Sequence, residues 1–304
     1  MNNIKGLICF CNENKIDFKE NQYMKNYTTF KIGGPADIIV FPQNEKEISD
    51  IVKYCSENNI PFDIIGNGSN LLITDNGIDG CVIALGKNFA NIKLIETNKI
   101  YAESGVPLSS LCVFAMKHGL SGLEFAYGIP GTVGGAIRMN AGAYGGEIKD
   151  ILENCRFISA ADFSIKDISN PDACFSYRKS IFCSNKNIIS GAVFTLQEGK
   201  EEDIQNKMYE LINKRKNSQP LEFPNGGSTF KRPEGAFAAQ LIDECGLKGY
   251  HIGDAYVSEK HAGFVVNKGN ALFSDVIKLI EDIKYTVKCK KGIQLETEIE
   301  IIGK

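Results

Sequence analysis

The sequence predicts an α/β protein made of two or three units, and three patterns point to this class. Residues 37–79 alternate between strand and helix patterns, and residues 81–100 contain successive short strand patterns. A charged helix predicted at 201–216 marks a boundary, after which a last stretch ends in a helix and a strand. The chain has 304 residues and 43% hydrophobic content, enough for two or three domains with full cores.

Each predicted element follows from the local order of apolar residues. Runs rich in β-branched and aromatic residues predict strands at 37–41, 62–65, 81–85, 91–96, 99–104, 154–159, 187–196 and 294–302. Apolar residues at helical spacing predict helices at 45–59, 107–118, 201–216 and 274–288. Gly119 directly follows the second helix and is a natural C-terminal cap.

Composition narrows the classes of function. The net charge is −3 and no long basic block occurs, which argues against nucleic acid as the main partner. The N-terminal apolar patch, residues 6–10, is too short for a signal peptide, and no segment approaches the length of a membrane span. We therefore expect a cytoplasmic protein without a membrane partner.

Cysteine and histidine are placed without any metal-binding pattern. The ten cysteines form no CxxC pair, so we expect reduced thiols that serve as small core residues. The three histidines, His118, His251 and His261, lie far apart in the chain and form no zinc-binding motif. We expect no metal site.

Residues 128–147, GIPGTVGGAIRMNAGAYGGE, combine dense glycine with a thread of apolar side chains. A flexible linker would lack that thread. Glycine at this density indicates that the backbone passes very close to another group. One such group is a phosphate-bearing ligand held by main-chain N–H groups. The alternative is a tight packing turn, and the segment alone leaves both open.

Two common nucleotide-binding loops are absent from the sequence. Gly66 and Gly68 match the first pair of a GxGxxG loop, but Leu71 occupies the position of the third glycine. No P-loop motif occurs. Any dinucleotide would therefore be held by several small loops, which are found at 33–34, 66–70, 105–106 and 128–146.

Three further positions carry polar groups with two interpretations each. Ser228 follows Gly226 and Gly227, so it is either a hydroxyl presented into a cleft or an ordinary turn serine. Arg178 beside Tyr177 is either an anion clamp or a surface arginine. The alternating glutamates of the last predicted strand form either a functional or a solvated face; they are Glu296, Glu298 and Glu300.

Taken together, these segments resemble the UDP-N-acetylenolpyruvoylglucosamine reductase (MurB) family. Nine segments occur in the family's order: TTFKIGGPAD, IGNGSNLL, SGVPL, GLEFAYGIPGTVGGAIRMNAGAYGGEI, FSYRKS, GGSTFKRP, LIDECGLKG, SEKHAGFVVN and LETEI. They span most of the chain, from Thr28 to the C-terminal strand. The short span between Arg178 and Gly226 resembles the type II form of the family.

The resemblance implies a two-part FAD-binding region of the p-cresol methylhydroxylase and vanillyl-alcohol oxidase type, followed by a C-terminal α/β substrate-binding domain. We place the domains at 1–82, 83–198 and 199–304. FAD would bind noncovalently, since no His or Cys matches a covalent tether. By analogy its contacts are Gly33, Gly34, Gly66, Asn67, Gly68, Ser69, Asn70, Gly128, Gly131, Thr132, Gly134, Gly135, Asn140, Ala141 and Gly142.

The implied reaction belongs to peptidoglycan precursor synthesis. NADPH would give a hydride to FAD and leave, and UDP-GlcNAc-enolpyruvate would then occupy the same cleft. A hydride would be added at C3 of the enolpyruvyl group and a proton at C2, giving UDP-N-acetylmuramate.

The family motifs place three catalytic groups on this chain. Arg178 and Glu298 would stabilise the enolate that hydride addition creates, and Glu298 would have to be protonated to do so. Ser228 would protonate C2. Glu296 is the competing choice for the glutamate, because it would lie on the same strand face. Substrate contacts are expected from Tyr177, Lys231 and His261.

Two rival functions remain at this stage, and we expect a monomer in each case. Another FAD enzyme of the same fold would be reoxidised productively by oxygen and would need no UDP-sugar. A non-catalytic nucleotide-sugar binding protein would hold no flavin and would not oxidise NADPH. The last-domain segments GGSTFKRP and LETEI argue against the first, and three matching polar groups argue against the second.

Overall fold

The computed structural model describes residues 2–304, and the chain forms two compact units. Unit 1 comprises Met1–Lys19, Ile38–Asn67 and Gly80–Lys214. Unit 2 comprises Glu20–Asp37, Gly68–Asp79 and Arg215–Lys304. The division into domains at 1–82, 83–198 and 199–304 stays a prediction.

Seven α-helices occur among the described residues, and the predicted helices lie within a few residues of the observed ones. The helices are Asn2–Glu13, Glu45–Glu57, Leu108–Lys117, Val133–Arg138, Glu201–Ser218, Ala238–Glu244 and Phe273–Lys291. The helix at Glu45 begins where the Asn44 side chain accepts a hydrogen bond from the Glu47 N–H (2.9 Å), a standard N-cap. Gly119 has φ +66°, which confirms it as the left-handed residue after its helix.

Strands form two larger sheets, one of four strands and one of five. The order in the four-stranded sheet is Asp17–Tyr23, Pro35–Phe41, Ile78–Ala84 and Phe62–Ile65. The order in the five-stranded sheet is Ile165–Ser169, Leu152–Ile158, Ile188–Thr195, Lys99–Glu103 and Ile92–Glu96. Every pairing in the five-stranded sheet is antiparallel. Two short pairs lie outside them in unit 1: Gly142–Ala143 with Gly146–Glu147, and Leu120–Ser121 with Gln197–Glu198.

Unit 1 holds two hydrophobic clusters. One surrounds the helix Glu45–Glu57 and includes Ile48, Ile51 and Val52, all fully buried. The other surrounds the helix Leu108–Lys117 and packs the glycine-rich segment through Val133 and Ile137. The apolar residues that thread this segment are therefore core residues, which fixes its backbone on the second cluster.

Unit 2 is built around a three-stranded sheet and the helix Phe273–Lys291. The sheet strands are His251–Ile252, Ala255–Val257 and Val265–Asn267. A separate parallel pair joins Glu300–Ile302 to Leu71–Ile73. The core includes Val276, Leu279 and Ile283 from one face of the helix.

The structure contains several elements beyond the predicted ones, among them the strands Asp17–Tyr23 and Ile165–Ser169 and the helix Ala238–Glu244, and it differs from the prediction near both ends of the chain. No element was predicted at the N-terminus, yet residues 4, 7, 8 and 11 are apolar at helical spacing, and Leu7 and Cys11 are fully buried in unit 1. The strand predicted at 294–302 is wrong for its first part, because regular pairing is confined to Glu300–Ile302. Before that, Thr297 makes only an isolated bridge to Phe230.

Candidate active site

The glycine-rich segment forms a short helix whose start is fastened to the neighbouring backbone of unit 1. The Leu108 N–H donates to the Gly131 carbonyl (3.0 Å), and the Val133 N–H donates to Val106 (2.9 Å). The Gly134 N–H donates to the Ser104 carbonyl (2.8 Å). These bonds hold the loop rigidly against the SGVPL segment.

A second predicted cofactor loop meets this one within unit 1. The Asn67 side-chain amide donates to the Pro130 carbonyl (2.5 Å). A Cβ atom on Gly66 would collide with the Thr132 hydroxyl. Gly66 therefore has no room for a side chain. The structure brings Gly66, Asn67 and Thr132 together beside Pro130, and their contact with a cofactor stays a prediction.

The glycines of this region differ in their surroundings, because packing requires Gly134 whereas Gly135 borders open space. A Cβ on Gly134 would lie 2.8 Å from the Ser104 Cβ, which makes Gly134 a packing requirement. Gly135 is exposed, and a Cβ there would meet nothing closer than the Thr132 hydroxyl at 3.8 Å. Within residues 2–304 the buried Ser104 hydroxyl has no hydrogen-bond partner. Open space beside Gly135 and small side chains around it fit a large ligand that lies along the backbone.

The predicted cofactor contacts at residues 33–34 and 68–70 lie in unit 2. Gly34 donates its N–H to the Thr74 carbonyl (2.9 Å), and a side chain there would collide with the Asp75 backbone. Gly68, with φ +59°, packs equally closely on the Tyr27 carbonyl. Packing thus accounts for both glycines, and their contact with a cofactor stays a prediction, as do the contacts of Gly33, Ser69, Gly128 and Ala141.

Asn70 links that loop to a candidate catalytic residue of unit 2. Its side-chain amide donates to the Glu298 carbonyl (3.2 Å), and its own carbonyl accepts from the Glu300 N–H (2.8 Å). Asn70 thereby fixes the backbone on both sides of Ile299, directly after Glu298.

The segments that contain Ser228 and Glu298 are joined by antiparallel backbone pairing in unit 2. We call residues 228–231 and 296–299 the serine ribbon. The Thr229 carbonyl accepts from the Glu298 N–H (2.9 Å), and the Glu296 carbonyl accepts from the Lys231 N–H (2.9 Å). Ser228 therefore lies one residue from the backbone partner of Glu298, and both are half-buried.

Glu296 has a different environment from Glu298. Its side chain is 72% exposed and pairs with the Lys231 ammonium (3.1 Å), which is itself 42% exposed. An exposed ion pair of this kind contributes little to stability. The half-buried Glu298 is the better placed of the two for chemistry, and the contact of Lys231 with substrate stays a prediction.

His261 lies beside the serine ribbon. The Thr229 N–H donates to the Gly263 carbonyl (2.8 Å), and the Gly263 N–H donates to His261 Nδ1 (3.2 Å). Burial lowers the pKa of His261 below its usual value, so the imidazole is neutral near pH 7. With Nδ1 accepting, the proton of the neutral ring is on Nε2, which makes that atom a donor.

Arg178 occupies a strained turn in unit 1. We call residues 176–179 the arginine turn, because the Ser176 and Lys179 backbones exchange two hydrogen bonds (2.9 and 3.2 Å) around Tyr177 and Arg178. Arg178 has φ +53°, a conformation that costs energy for a residue with a side chain. Its guanidinium packs over the Tyr177 ring at 5.1 Å and donates to the Gly142 carbonyl (3.0 Å).

Asn140, predicted as a cofactor contact, is completely buried next to this turn. Its side-chain N–H groups donate to the Ser176 carbonyl (3.1 Å) and to the Glu147 carboxylate (3.0 Å). Its side-chain oxygen accepts from the Lys149 N–H (3.0 Å). The Lys149 ammonium lowers the pKa of Glu147, which is therefore a carboxylate near pH 7. Sequence reasoning missed Glu147 and these links, because no motif marks the glutamate and Ser176 lies 36 positions from Asn140.

The comparisons with known proteins match both parts of the chain. A family model for an FAD binding domain matches residues 36–167, and the model for the C-terminal domain of UDP-N-acetylenolpyruvoylglucosamine reductase matches residues 219–302. The UDP-N-acetylenolpyruvoylglucosamine reductase of Clostridium novyi (strain NT) is 50% identical over 289 residues, covering 95% of this chain and 93% of that protein. The chain belongs to the UDP-N-acetylenolpyruvoylglucosamine reductase family. A relative from Clostridioides difficile (strain 630) is 47% identical over 95% of this chain and 94% of that protein.

A solved structure of the same family agrees with the fold. The crystal structure of the reductase from Thermus caldophilus aligns with a TM-score of 0.80 and 35% identity, over 94% of this chain and 98% of that one. The family prediction is confirmed, as are the α/β fold with an FAD-binding region and a separate C-terminal domain, and FAD as the cofactor. The type II assignment and the individual FAD contacts stay predictions.

Neither a metal-binding cluster nor a membrane-spanning helix is found among the described residues. Among residues 2–304, no group of three or more His, Cys, Asp and Glu side chains is arranged to hold a metal ion. In the same residues, no helix combines the length and the apolar character needed to cross a bilayer.

Proposed function

We propose that this protein reduces the enolpyruvyl group of UDP-GlcNAc-enolpyruvate to give UDP-N-acetylmuramate in peptidoglycan precursor synthesis, with NADPH as the reductant. The observation that carries the proposal is the serine ribbon, where backbone pairing in unit 2 joins the segment that contains Ser228 to the segment that contains the half-buried Glu298. Family membership over nearly the whole chain supports the same reaction.

Bound FAD supplies the hydride for this reaction after NADPH has reduced it. The residues that would hold it in unit 1 are Gly66, Asn67, Thr132 and Gly135, where the backbone is fixed and open space adjoins an exposed glycine. Backbone N–H groups at such a loop suit the pyrophosphate of a dinucleotide.

Arg178 would hold the substrate carboxylate and stabilise the negative charge that develops on it. Guanidinium is always charged and presents paired donors that match a carboxylate. Its strained backbone and its bond to Gly142 support this assignment, because strain of this kind persists where function requires it.

Glu298 would share that task by donating a hydrogen bond from its protonated form to the enolate. The Asn70 amide and the Thr229 carbonyl fix the backbone at Glu298, which supports a preorganised donor. Preorganised donors lower the barrier because they need no rearrangement as the charge develops.

Ser228 would give its proton to C2 of the enolate. A hydroxyl is a weak acid, so it must lie within hydrogen-bond reach and act on a strongly basic carbon. Gly227, with φ +81° and open space around it, lets the chain turn directly before Ser228. Tyr177, Lys231 and the Nε2–H of His261 would contact other parts of the substrate.

The compartment and the oligomeric state of the protein are also part of the proposal. We place it in the cytoplasm as a monomer with no nucleic-acid or membrane partner. The net charge of −3 supports the absence of a polyanionic partner.

The proposal is tested by following the two half-reactions separately in wild type and Ser228→Ala. Reduction of the bound flavin by NADPH should proceed at similar rates in both. Oxidation of the reduced protein by UDP-GlcNAc-enolpyruvate should be about 10²–10⁴-fold slower in the variant, the usual value of a general acid.

Two outcomes would count against it. If the substrate does not oxidise the reduced wild-type protein, the proposed reaction is wrong. If Ser228→Ala slows both half-reactions equally, the reaction stands but Ser228 is not its dedicated acid.

A further inference from the structure

The arginine turn has little packing to hold it. Ser176, Tyr177 and Lys179 are exposed, and Tyr177 is 45% exposed despite its large ring. Arg178 is meanwhile in a left-handed conformation that favours glycine or asparagine. An exposed and strained turn keeps one conformation only if polar contacts over-determine it.

Those contacts come from one short segment of unit 1, residues 140–142. The Asn140 amide donates to the Ser176 carbonyl (3.1 Å), which anchors the turn's backbone. The Gly142 carbonyl accepts from Arg178 Nη2 (3.0 Å), which anchors its side chain. Because Asn140 and Gly142 are only two residues apart, one rigid piece of chain sets both the turn and the guanidinium.

The Asn140 side chain can be oriented in only one way. Its oxygen faces the Lys149 N–H, and its nitrogen faces two oxygen atoms, on Ser176 and Glu147. A flipped amide would place like groups together at all three contacts. Burial excludes water as a substitute partner, since Asn140 has no exposed surface.

We propose that Asn140 is a positioning residue for Arg178, acting through the Ser176 carbonyl. This role differs from direct contact with FAD, because both side-chain N–H groups are already used by protein oxygen atoms. The inference rests on the proposed function, in which Arg178 acts on the enolpyruvyl substrate. It predicts that Asn140 matters for oxidation of the reduced protein by substrate and not for reduction by NADPH.

Asn140→Asp is the sharpest test, because it keeps the size of the side chain and its oxygen acceptor. Aspartate also tolerates the positive φ of Asn140, +40°. It replaces both N–H donors by oxygen, so the Ser176 carbonyl loses its partner. Asn140→Gly is the second variant; it removes the whole side chain and leaves the backbone unstrained.

The expected result is a defect confined to one half-reaction. FAD content and reduction by NADPH should match wild type, whereas oxidation by UDP-GlcNAc-enolpyruvate should slow by about 10- to 100-fold, the effect of a misplacement near 1 Å. Ser190→Ala is the matched control, since it also removes a buried hydrogen bond of unit 1, to Glu45 (2.7 Å), away from the turn. It should leave both half-reactions unchanged.

A double variant tests whether Asn140 acts through the arginine. Arg178→Ala combined with Asn140→Asp should be no slower than Arg178→Ala alone, because nothing remains to be positioned. Multiplied losses would overturn the proposal, and so would equal slowing of both half-reactions or loss of FAD from Asn140→Asp and Asn140→Gly.

The failure of this inference can be told apart from failure of the proposed function. If the wild-type reduced protein is not oxidised by substrate, the proposed function is wrong. If it is oxidised, and Arg178→Ala is slow while both Asn140 variants keep the wild-type rate, only the positioning role is overturned.

Discussion

The arginine turn of unit 1 and the serine ribbon of unit 2 hold their candidate catalytic residues by different means. The ribbon is backed by the buried side chains of Phe230, Leu295 and Ile299 and is joined by ordinary backbone pairing. The turn is exposed, includes a strained residue, and is fixed by side-chain hydrogen bonds from Asn140 and Arg178.

This difference decides which changes each region should tolerate. Apolar packing loses energy when volume is removed, whereas a polar anchor is sensitive to the exchange of a single donor for an acceptor. We therefore expect large stability effects at the ribbon and mainly kinetic effects at the turn.

The largest effect should come from the packing behind the ribbon. Phe230 is 4% exposed, and Phe230→Ala should lower the free energy of unfolding by about 3–5 kcal/mol. Tyr177→Ala removes an equally large ring from the exposed turn and should change it by less than about 0.5 kcal/mol. Denaturant unfolding of both variants measures the comparison, and similar losses would contradict it.

The two glutamates of the ribbon provide the next test. Glu298→Ala removes the proposed hydrogen-bond donor and should slow oxidation of the reduced protein by substrate by about 10²–10³-fold, the usual effect of losing one preorganised group. Glu296→Ala breaks only the exposed pair with Lys231 and should stay close to the wild-type rate. The opposite ranking in stopped-flow measurements would mean that Glu296 is the functional residue.

Substitutions of Gly66 and Gly135 in unit 1 distinguish a glycine that packing requires from one that would contact the ligand. Gly66→Ala forces a side chain into the Thr132 hydroxyl and should destabilise the protein by about 1–3 kcal/mol. Gly135→Ala meets no obstacle and replaces glycine in a helix, so stability should hold or rise by up to about 1 kcal/mol. If FAD lies along this backbone, Gly135→Ala should still weaken FAD binding in a titration of the apoprotein. Unchanged affinity would remove Gly135 from the FAD contacts.

His261 should give the smallest effect, a pH dependence of stability. Burial lowers the folded-state pKa of His261 below the ordinary 6.5, so only the unfolded chain takes up the proton as pH falls through that value. Stability from this residue is therefore full above pH 6.5 and is lost as pH falls towards the folded-state pKa. His261→Gln should make the free energy of unfolding less dependent on pH in that window. If the variant shows the same pH dependence as wild type, His261 is not its source.

The sequence predicts the turn and the ribbon to different degrees. The core helices and central strands follow from apolar spacing, and Ser228, Glu298 and Arg178 follow from motifs that resemble a known family. The positive φ of Arg178 and the bond from Asn140 to Ser176 do not, because that bond joins residues 36 positions apart. Local pattern holds no information on such a contact.

The C-terminal strand shows a second limit of prediction from the sequence. Alternation of apolar and acidic residues predicts a regular strand at 294–302, and Leu295 and Ile299 are indeed buried. The pairing changes partner along this stretch, from Phe230 opposite Thr297 to Leu71 opposite Glu300. Ile301 is 46% exposed, so burial follows the sequence pattern only in part, and the pairing depends on distant segments.

The most direct test of the central claim is NADPH oxidation by the purified flavoprotein with and without UDP-GlcNAc-enolpyruvate, under air and without oxygen. The account predicts rapid NADPH oxidation only when the substrate is present, independent of oxygen, with UDP-N-acetylmuramate formed in equal amount. Turnover that requires oxygen and ignores the substrate would contradict the account and assign the protein to another FAD-dependent reaction.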